Sequence, residues 1–436
     1  MIFLVIIFNS LSFIFYRKAH IDFDSASHIY KAVTNNEYKT GYKIGIKLPI
    51  VLLYNQVHKK ISKNKYFFRF LNFSIINILS FIFILKSDRN LQNNLIIIIF
   101  LILLNSFWIN PSTSSSEIYE VLILIFTIYT AEILTNLSHQ LLLVGFCSIL
   151  LISFKFLNSA YLLPLYFLTS EDLDNLIKNV SFLILLAVGL LIVYNSKNSL
   201  KYAKNRTGFM HEKSRKFIKK NIYFSLNFFI LILFSIKIAE GFEVLFLLTS
   251  IIILIVQKQY FSYFLLHISC LGLLFLLDKD LSELDEIIFV FLLSNFTILS
   301  LLNLFKLYKI KNYYKLVRIL QGESVSDYLS DQEKQVKLLK SIVKEKSVYF
   351  IGVDTPLLIN AEIYNVDNTF YNENHLTYWS AENNPKQFII NEIASKQSEY
   401  ILISKPMADY KDLVFEELEY KKVNEIGSLR IFKKVI

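Results

Sequence analysis

The sequence predicts an all-α polytopic membrane protein with about eleven transmembrane helices and a small C-terminal α/β soluble domain. Of its 436 residues, 54% are hydrophobic and only 19% are charged, and the mean hydropathy is +0.44. A helix needs roughly 17 to 25 apolar residues to cross about 30 Å of hydrocarbon, and about eleven runs approach that length. The net charge of +10 fits anionic lipid headgroups better than nucleic acid, which is not expected as a partner.

The apolar runs follow one another up to residue 305. They are Ile2 to Tyr16, Tyr66 to Leu85, Asn94 to Ile109, Ile118 to Leu134, His139 to Phe154, Phe156 to Thr169, Leu176 to Asn195, Ile222 to Ala239, Phe242 to Gln257, Tyr260 to Leu277 and Glu286 to Phe305. Lys155 separates the fifth run from the sixth. Because a lysine held at mid-membrane costs about 2.5 to 3.5 kcal/mol, we expect it to mark a helix end at an interface.

The composition changes after Phe305, which gives predicted bounds of 1–305 for the transmembrane region, 306–346 for a linker and 347–436 for the α/β domain. The pattern of apolar residues in the last part predicts four strands and one helix. The strands are at 348–353, 400–404, 420–426 and 429–432, and the helix is at 387–396. Gly427 and Ser428 form the predicted turn between the last two strands.

Three polar segments between the apolar runs are long or carry ionisable residues. They are 17–65, 110–117 and the lysine-rich 196–221. With eleven spans, these loops and the tail all fall on one side of the membrane, which we assign as extracytoplasmic. The positive-inside rule favours a different arrangement, with ten spans and a cytoplasmic tail, because the loops are basic.

An acidic cluster lies just after the first apolar run. A carboxylate is costly in hydrocarbon but not at the interface, where it could act as a general base on a lipid-borne substrate. Asp24 is followed by His28 four residues later and by Ala32 eight residues later. This pattern resembles the first-loop signature of GT-C glycosyltransferases of family 39 and the aminoarabinose-transferase type, in which an Asp-Glu pair precedes Tyr and Ala. Here Ser25 stands in place of the second acid and His28 in place of the aromatic residue.

The order of the loops is also similar to that family. Its members have a seven-helix module with a catalytic first loop, a short second loop that often carries a carboxylate, and a long loop after the seventh helix. Asp24, Glu117 and the segment 196–221 match these features in order. Many bacterial members also end in a small extracytoplasmic α/β domain.

The resemblance implies transfer of a sugar from a polyprenyl-phosphate-linked donor to a cell-envelope lipid, glycan or protein. Asp24 would be the general base of an inverting displacement, in an integral protein of the bacterial inner membrane with its active site on the extracytoplasmic face. The expected partners are the donor, the acceptor and membrane lipids. The alternative is a transporter, flippase or polymerase of lipid-linked glycans, and a transporter would be expected to carry ionisable groups near mid-membrane.

Each acidic candidate also has an ordinary structural explanation. Asp24 could cap a helix that begins near Ser25, and Glu117 could compensate the dipole of the helix that it opens. Glu117 is otherwise the second catalytic carboxylate, which orients the acceptor or binds a metal. Asp22 would join these two around a divalent cation if the segment is extended, or lie in the loop as a solvated acid. No other cofactor is expected.

The candidates for substrate binding are His28, Tyr30, Lys155 and Arg206. Arg206 offers a forked donor suited to phosphate, and Lys155 lies at a helix junction on the same predicted side. A lone interfacial histidine such as His28 is more often a hydrogen-bonded surface group.

Overall fold

The computed structural model describes the protein over much of its length. The described residues are 2–16, 67–87, 91–105, 116–154, 160–168, 174–181, 184–185, 222–257, 262–277, 279–310, 332–343, 345–351, 355–363, 366, 385–404, 418–427 and 429–435.

Helices form at the positions where the apolar runs predict them. They are α1 (Ile2–Tyr16), α2 (Phe67–Lys86), α3 (Leu91–Asn105), α4 (Ser116–Ile133), α5 (Leu137–Phe154), α6 (Leu163–Leu168), α7 (Ile222–Ile238), α8 (Phe242–Gln257), α9 (Ser262–Leu276) and α10 (Glu283–Ile310). The described part of the sixth run is a 3₁₀ turn at 160–162 followed by the six residues of α6. In the seventh run, which is predicted to begin at Leu176, the described residues 176–181 and 184–185 are helical.

The prediction that these helices span a membrane is wrong. Among the residues that the structure describes, no helix is both long enough and apolar enough to cross a bilayer. The predicted all-α polytopic class is therefore corrected to a mostly helical chain with one small sheet.

Helix α9 is the centre of the helical part. Its residues from His267 onwards are buried up to Leu277, and it packs against α3, α4, α7 and α8. Gly272 permits a close approach to α7, because a Cβ atom there would lie 2.2 Å from the Oγ of Ser235 on α7. The two backbones can approach only while position 272 has no side chain.

One end of the helical part carries a set of polar contacts, and we call it the ion-pair end. These contacts are Lys86 with Glu132, Lys237 with Asp285, Lys279 with Glu240 and Glu243, and the Gln92 side chain with the Lys279 carbonyl. They show that α2, α4, α7 and α9 end there, while α3, α8 and α10 begin there. The short connection 134–136 places the start of α5 at the same end. Consequently α4 and α9 begin, and α5 ends, at the opposite end.

Side-chain caps determine where helices start at the ion-pair end. The Asn136 Oδ1 accepts hydrogen bonds from the backbone N–H groups of Ser138 and His139 at the start of α5. The Ser282 Oγ accepts from the backbone N–H of Asp285 at the start of α10. Such caps satisfy N–H groups that have no partner within the helix.

The C-terminal part contains a four-stranded sheet. Its strands are β1 (Val348–Ile351), β2 (Tyr400–Ser404), β3 (Tyr420–Ile426) and β4 (Leu429–Lys434), in the order β1-β2-β4-β3. Strands β1 and β2 are parallel, and the other pairs are antiparallel. The four strands confirm the predicted positions, with β1 ending at Ile351. Gly427 adopts φ +59° in the predicted turn between β3 and β4.

Helices cover both faces of this sheet. They are α11 (Gln332–Val343) and α12 (Thr355–Asn360) on one face and α13 (Pro385–Lys396) on the other. Helix α13 confirms the predicted helix at 387–396. Leu339 and Val343 of α11 are fully buried beside Val348 and Phe350, so a helix inside the predicted linker contributes to the core of the sheet.

Candidate functional site

The residues predicted to form the site lie almost entirely outside the described residues. These are Asp22, Asp24, His28, Tyr30, Lys155 and Arg206. Glu117 is the second residue of α4, and only its helical backbone is described. The catalytic, substrate-binding and metal-binding roles assigned to these residues stay predictions.

A buried carboxylate and a buried imidazole meet inside the helical part. The Oε2 of Glu120, on α4, lies 3.2 Å from the Nε2 of His267, on α9. Both side chains are almost completely enclosed, with 0% of Glu120 and 2% of His267 exposed. Within the described residues, neither Nδ1 nor Nε2 of His267 makes a hydrogen bond, so the 3.2 Å approach to Glu120 is a close polar contact.

Tyr161 completes the cluster from a third chain segment. Its ring stacks on the imidazole of His267, with 5.1 Å between the ring centroids and an angle of 15° between the planes. Burial raises the pKa of the Tyr161 phenol far above its usual range, and the nearby charge of Glu120 raises it further. Tyr161 therefore stays protonated near neutral pH and contributes an uncharged aromatic surface to the cluster.

This cluster is expensive to form in an apolar core. Taking a charged carboxylate or imidazolium out of water costs several kcal/mol for each ion, and the attraction within the pair offsets only part of that cost. Apolar residues of similar volume are often equally stable or more stable at such positions. Ionisable groups buried in this way are therefore candidates for a functional role.

The cluster lies towards the opposite end of the helical part. Glu120 is four residues after the start of α4, about 6 Å along the helix axis, and His267 is five residues after the start of α9. Tyr161 is in the turn that precedes α6. Glu117 is one turn closer to the start of α4 than Glu120, and Lys155 follows directly in sequence after the last residue of α5.

Other buried polar groups nearby belong to the packing between helices. The hydroxyl of Tyr166 lies 3.1 Å from the Oγ of Ser148, which joins α6 to α5. Burial raises the pKa of the Cys147 thiol, and a hydrogen bond with Thr127 only partly opposes that shift. Burial also raises the pKa of Cys270. Both thiols therefore stay protonated, which makes them poor nucleophiles.

A metal site is not formed by the described residues, which contain no group of three or more His, Cys, Asp or Glu side chains able to hold an ion. Of the predicted cation ligands, Asp22 and Asp24 lie outside these residues, as does the side chain of Glu117. The divalent cation stays a prediction.

The Glu120–His267 pair was not predicted from the sequence, although the sequence contains an indication of it. Glu120 and His267 are each an ionisable residue within a strongly apolar run, 118–134 and 260–277. Such residues must find a partner when the helix is buried, and an acid in one run and a histidine in another are compatible partners. Periodicity along one helix cannot show which helices become neighbours.

Comparison with known proteins adds no family to this description. No protein-family model matches the chain, and no curated protein does. The GT-C resemblance therefore depends on the chain's own motifs.

Proposed function

We propose that the chain transfers a sugar from a polyprenyl-phosphate-linked donor to a hydroxyl group of a cell-envelope acceptor. Asp24 is the general base, and Glu117 orients the acceptor. The first-loop pattern of Asp24, His28 and Ala32 carries the assignment in the sequence. The structural observation in its support is the buried Glu120–His267 pair, which lies one turn beyond Glu117 on α4.

The proposed reaction is a direct displacement at the anomeric carbon. The acceptor oxygen forms a bond to that carbon while the bond from the carbon to the phosphate oxygen breaks. Polyprenyl phosphate leaves with the bonding electron pair, and Asp24 takes the proton of the acceptor hydroxyl. Attack from the face opposite the leaving group inverts the configuration of the sugar.

Cations near the leaving phosphate lower the barrier, because negative charge accumulates on its oxygens as the bond breaks. Arg206 offers a planar set of donors for two phosphate oxygens, and Lys155 supplies a point charge. His28 and Tyr30 contact the sugar or the phosphate. A divalent cation held by Asp22, Asp24 and Glu117 would serve the same end.

The surface of the helical part supports a lipid-linked donor. Large apolar side chains are exposed on several helices, among them Phe3 on α1, Leu142 and Phe146 on α5, and Phe291 on α10. Exposed apolar groups in this number are typical of surfaces that contact other apolar molecules. We propose that the chain acts at the extracytoplasmic face of a bacterial membrane, where polyprenyl chains and acceptors meet.

The experiment follows the transfer of labelled sugar from a polyprenyl-phosphate donor by the purified protein. Asp24→Asn keeps the size of the side chain and removes the base, and we expect turnover to fall about 100-fold or more. Asp280→Asn is the matched control, because Asp280 is exposed in the connection between α9 and α10 at the ion-pair end. Equal turnover in wild type and Asp24→Asn would reject Asp24 as the base. Movement of the labelled lipid between leaflets without any new glycosidic bond would instead indicate the flippase alternative.

A further inference from the structure

We infer that Glu120 and His267 are positioning residues for this reaction, which hold the first turn of α4 against α9. This inference depends on the proposed function, in which Glu117 acts from that turn. In this inference, the pair fixes the position of the end of α4 that carries Glu117.

The geometry joins three chain segments at one point. Glu120 comes from α4, His267 from the central helix α9, and Tyr161 from the turn before α6. Helix α6 is in turn joined to α5 by the Tyr166 hydroxyl and the Ser148 Oγ. The start of α4 and the second half of α5 are therefore linked to the core helix by a small number of polar and stacking contacts.

Helix geometry connects the pair to Glu117. Residues three apart in an α-helix lie about 60° from each other around the axis and about 4.5 Å apart along it. A close polar contact at Glu120 therefore fixes both the rotation and the height of the turn that carries Glu117. Purely apolar contacts would allow this turn to slide or rotate at a smaller cost, because they have little directional preference.

The composition of the pair favours positioning over stability. Two apolar residues would fill the same space without any cost of removing charge from water. A polar contact in an apolar core can select one arrangement of two helices, as buried polar groups do in other helical assemblies. The stacked ring of Tyr161 restricts the imidazole further, because it covers one face of His267.

The test measures kcat and KM separately for three variants of the full chain, which are Glu120→Gln, His267→Gln and the control Phe289→Ala. Glu120→Gln and His267→Gln keep polar side chains while replacing the carboxyl group or the imidazole with an amide. We expect each to lower kcat per folded molecule about 10- to 100-fold, since small displacements of a catalytic group have effects of that size. The KM for the donor should change less than 2-fold, because neither residue contacts the donor.

Phe289→Ala is the control for a loss of stability alone. Phe289 is 1% exposed on α10, near the ion-pair end and away from the cluster. This variant should lower the folded fraction, measured by the amplitude of thermal unfolding, while kcat per folded molecule stays within 2-fold of wild type. If Glu120→Gln and His267→Gln behave like Phe289→Ala, the positioning role is rejected while the proposed function stands. If the wild-type protein forms no glycosidic bond, the proposed function fails and the inference fails with it.

Discussion

The imidazole of His267 on α9 and the carboxyl group of Glu120 on α4 form an enclosed pair, with 3.2 Å between Nε2 and Oε2. The two residues are far apart in the chain and come from apolar helices, so their meeting is a property of the tertiary fold. The pair lies near the start of α4, the helix that carries the predicted catalytic residue Glu117.

Removing one member of the pair should destabilise the protein more than removing both. His267→Leu removes the imidazole that faces the buried carboxyl group of Glu120, and we expect the free energy of unfolding to fall by about 3 to 5 kcal/mol. The double variant with Glu120→Leu should recover most of that loss. Denaturant unfolding of the two variants measures the difference, and a double variant as unstable as the single one would contradict the coupling between Glu120 and His267.

The contact between α7 and α9 should not tolerate a side chain at Gly272. A Cβ at this position would lie 2.2 Å from the Ser235 Oγ and 2.8 Å from its Cβ, so the helices must separate. We expect Gly272→Ala to cost about 1 to 3 kcal/mol of stability, and Ser235→Gly in the same chain to restore part of it.

Gly145 provides a matched control for this substitution. It also lies within a helix, but a Cβ there would meet nothing within 4 Å. Because alanine favours the helix over glycine, Gly145→Ala should stabilise the protein by about 0.5 to 1 kcal/mol. Thermal unfolding should therefore move in opposite directions for the two glycines, and a shared direction would contradict the packing described for α7 and α9.

The hairpin of β3 and β4 should depend on Gly427. Its φ of +59° is in the left-handed region, where a side chain costs roughly 1 to 2 kcal/mol. A Cβ there would also lie 2.9 Å from the Nε2 of Gln335 on α11, whose flexible side chain can move away. Gly427→Ala should therefore lower amide protection in β3 and β4, measured by hydrogen exchange. Unchanged protection would show that the turn adopts another conformation.

Several parts of the fold can be predicted from the sequence. The positions of α1, α2, α4, α5 and α7 to α10 follow from apolar runs, and the strands follow from short β-branched and aromatic segments. Both signals are local. The same runs suggested membrane spans, because composition alone does not distinguish a buried helix from a spanning one.

The pairings between distant segments could not be predicted in the same way. The parallel pairing of β1 with β2 and the insertion of β4 between β2 and β3 depend on long-range contacts. The Glu120–His267 pair also depends on contacts between distant segments of the chain. Of the sequence-based site, only the helical start of α4 that carries Glu117 lies within the described residues.

The ion-pair end should contribute to stability in a pH-dependent way. The hydrogen bond from Lys237, assisted by that from Ser282, lowers the pKa of Asp285 below its ordinary value of 3.8. Because the folded pKa is lower than the unfolded one, the contribution is fully present above the unfolded pKa and is lost as the pH falls through the folded pKa. The stability difference between wild type and Asp285→Asn should thus be constant above about pH 5 and shrink below about pH 4. A difference that stays constant down to pH 2 would contradict this.

The most direct test of the proposed function is the anomeric configuration of the product. Purified protein is incubated with a polyprenyl-phosphate sugar of known configuration and an envelope acceptor, and the new glycosidic bond is examined by NMR. The account predicts a product of inverted configuration with the wild type, and about 100-fold less of it with Asp24→Asn. A product of retained configuration, or the absence of any glycosidic bond, would contradict it.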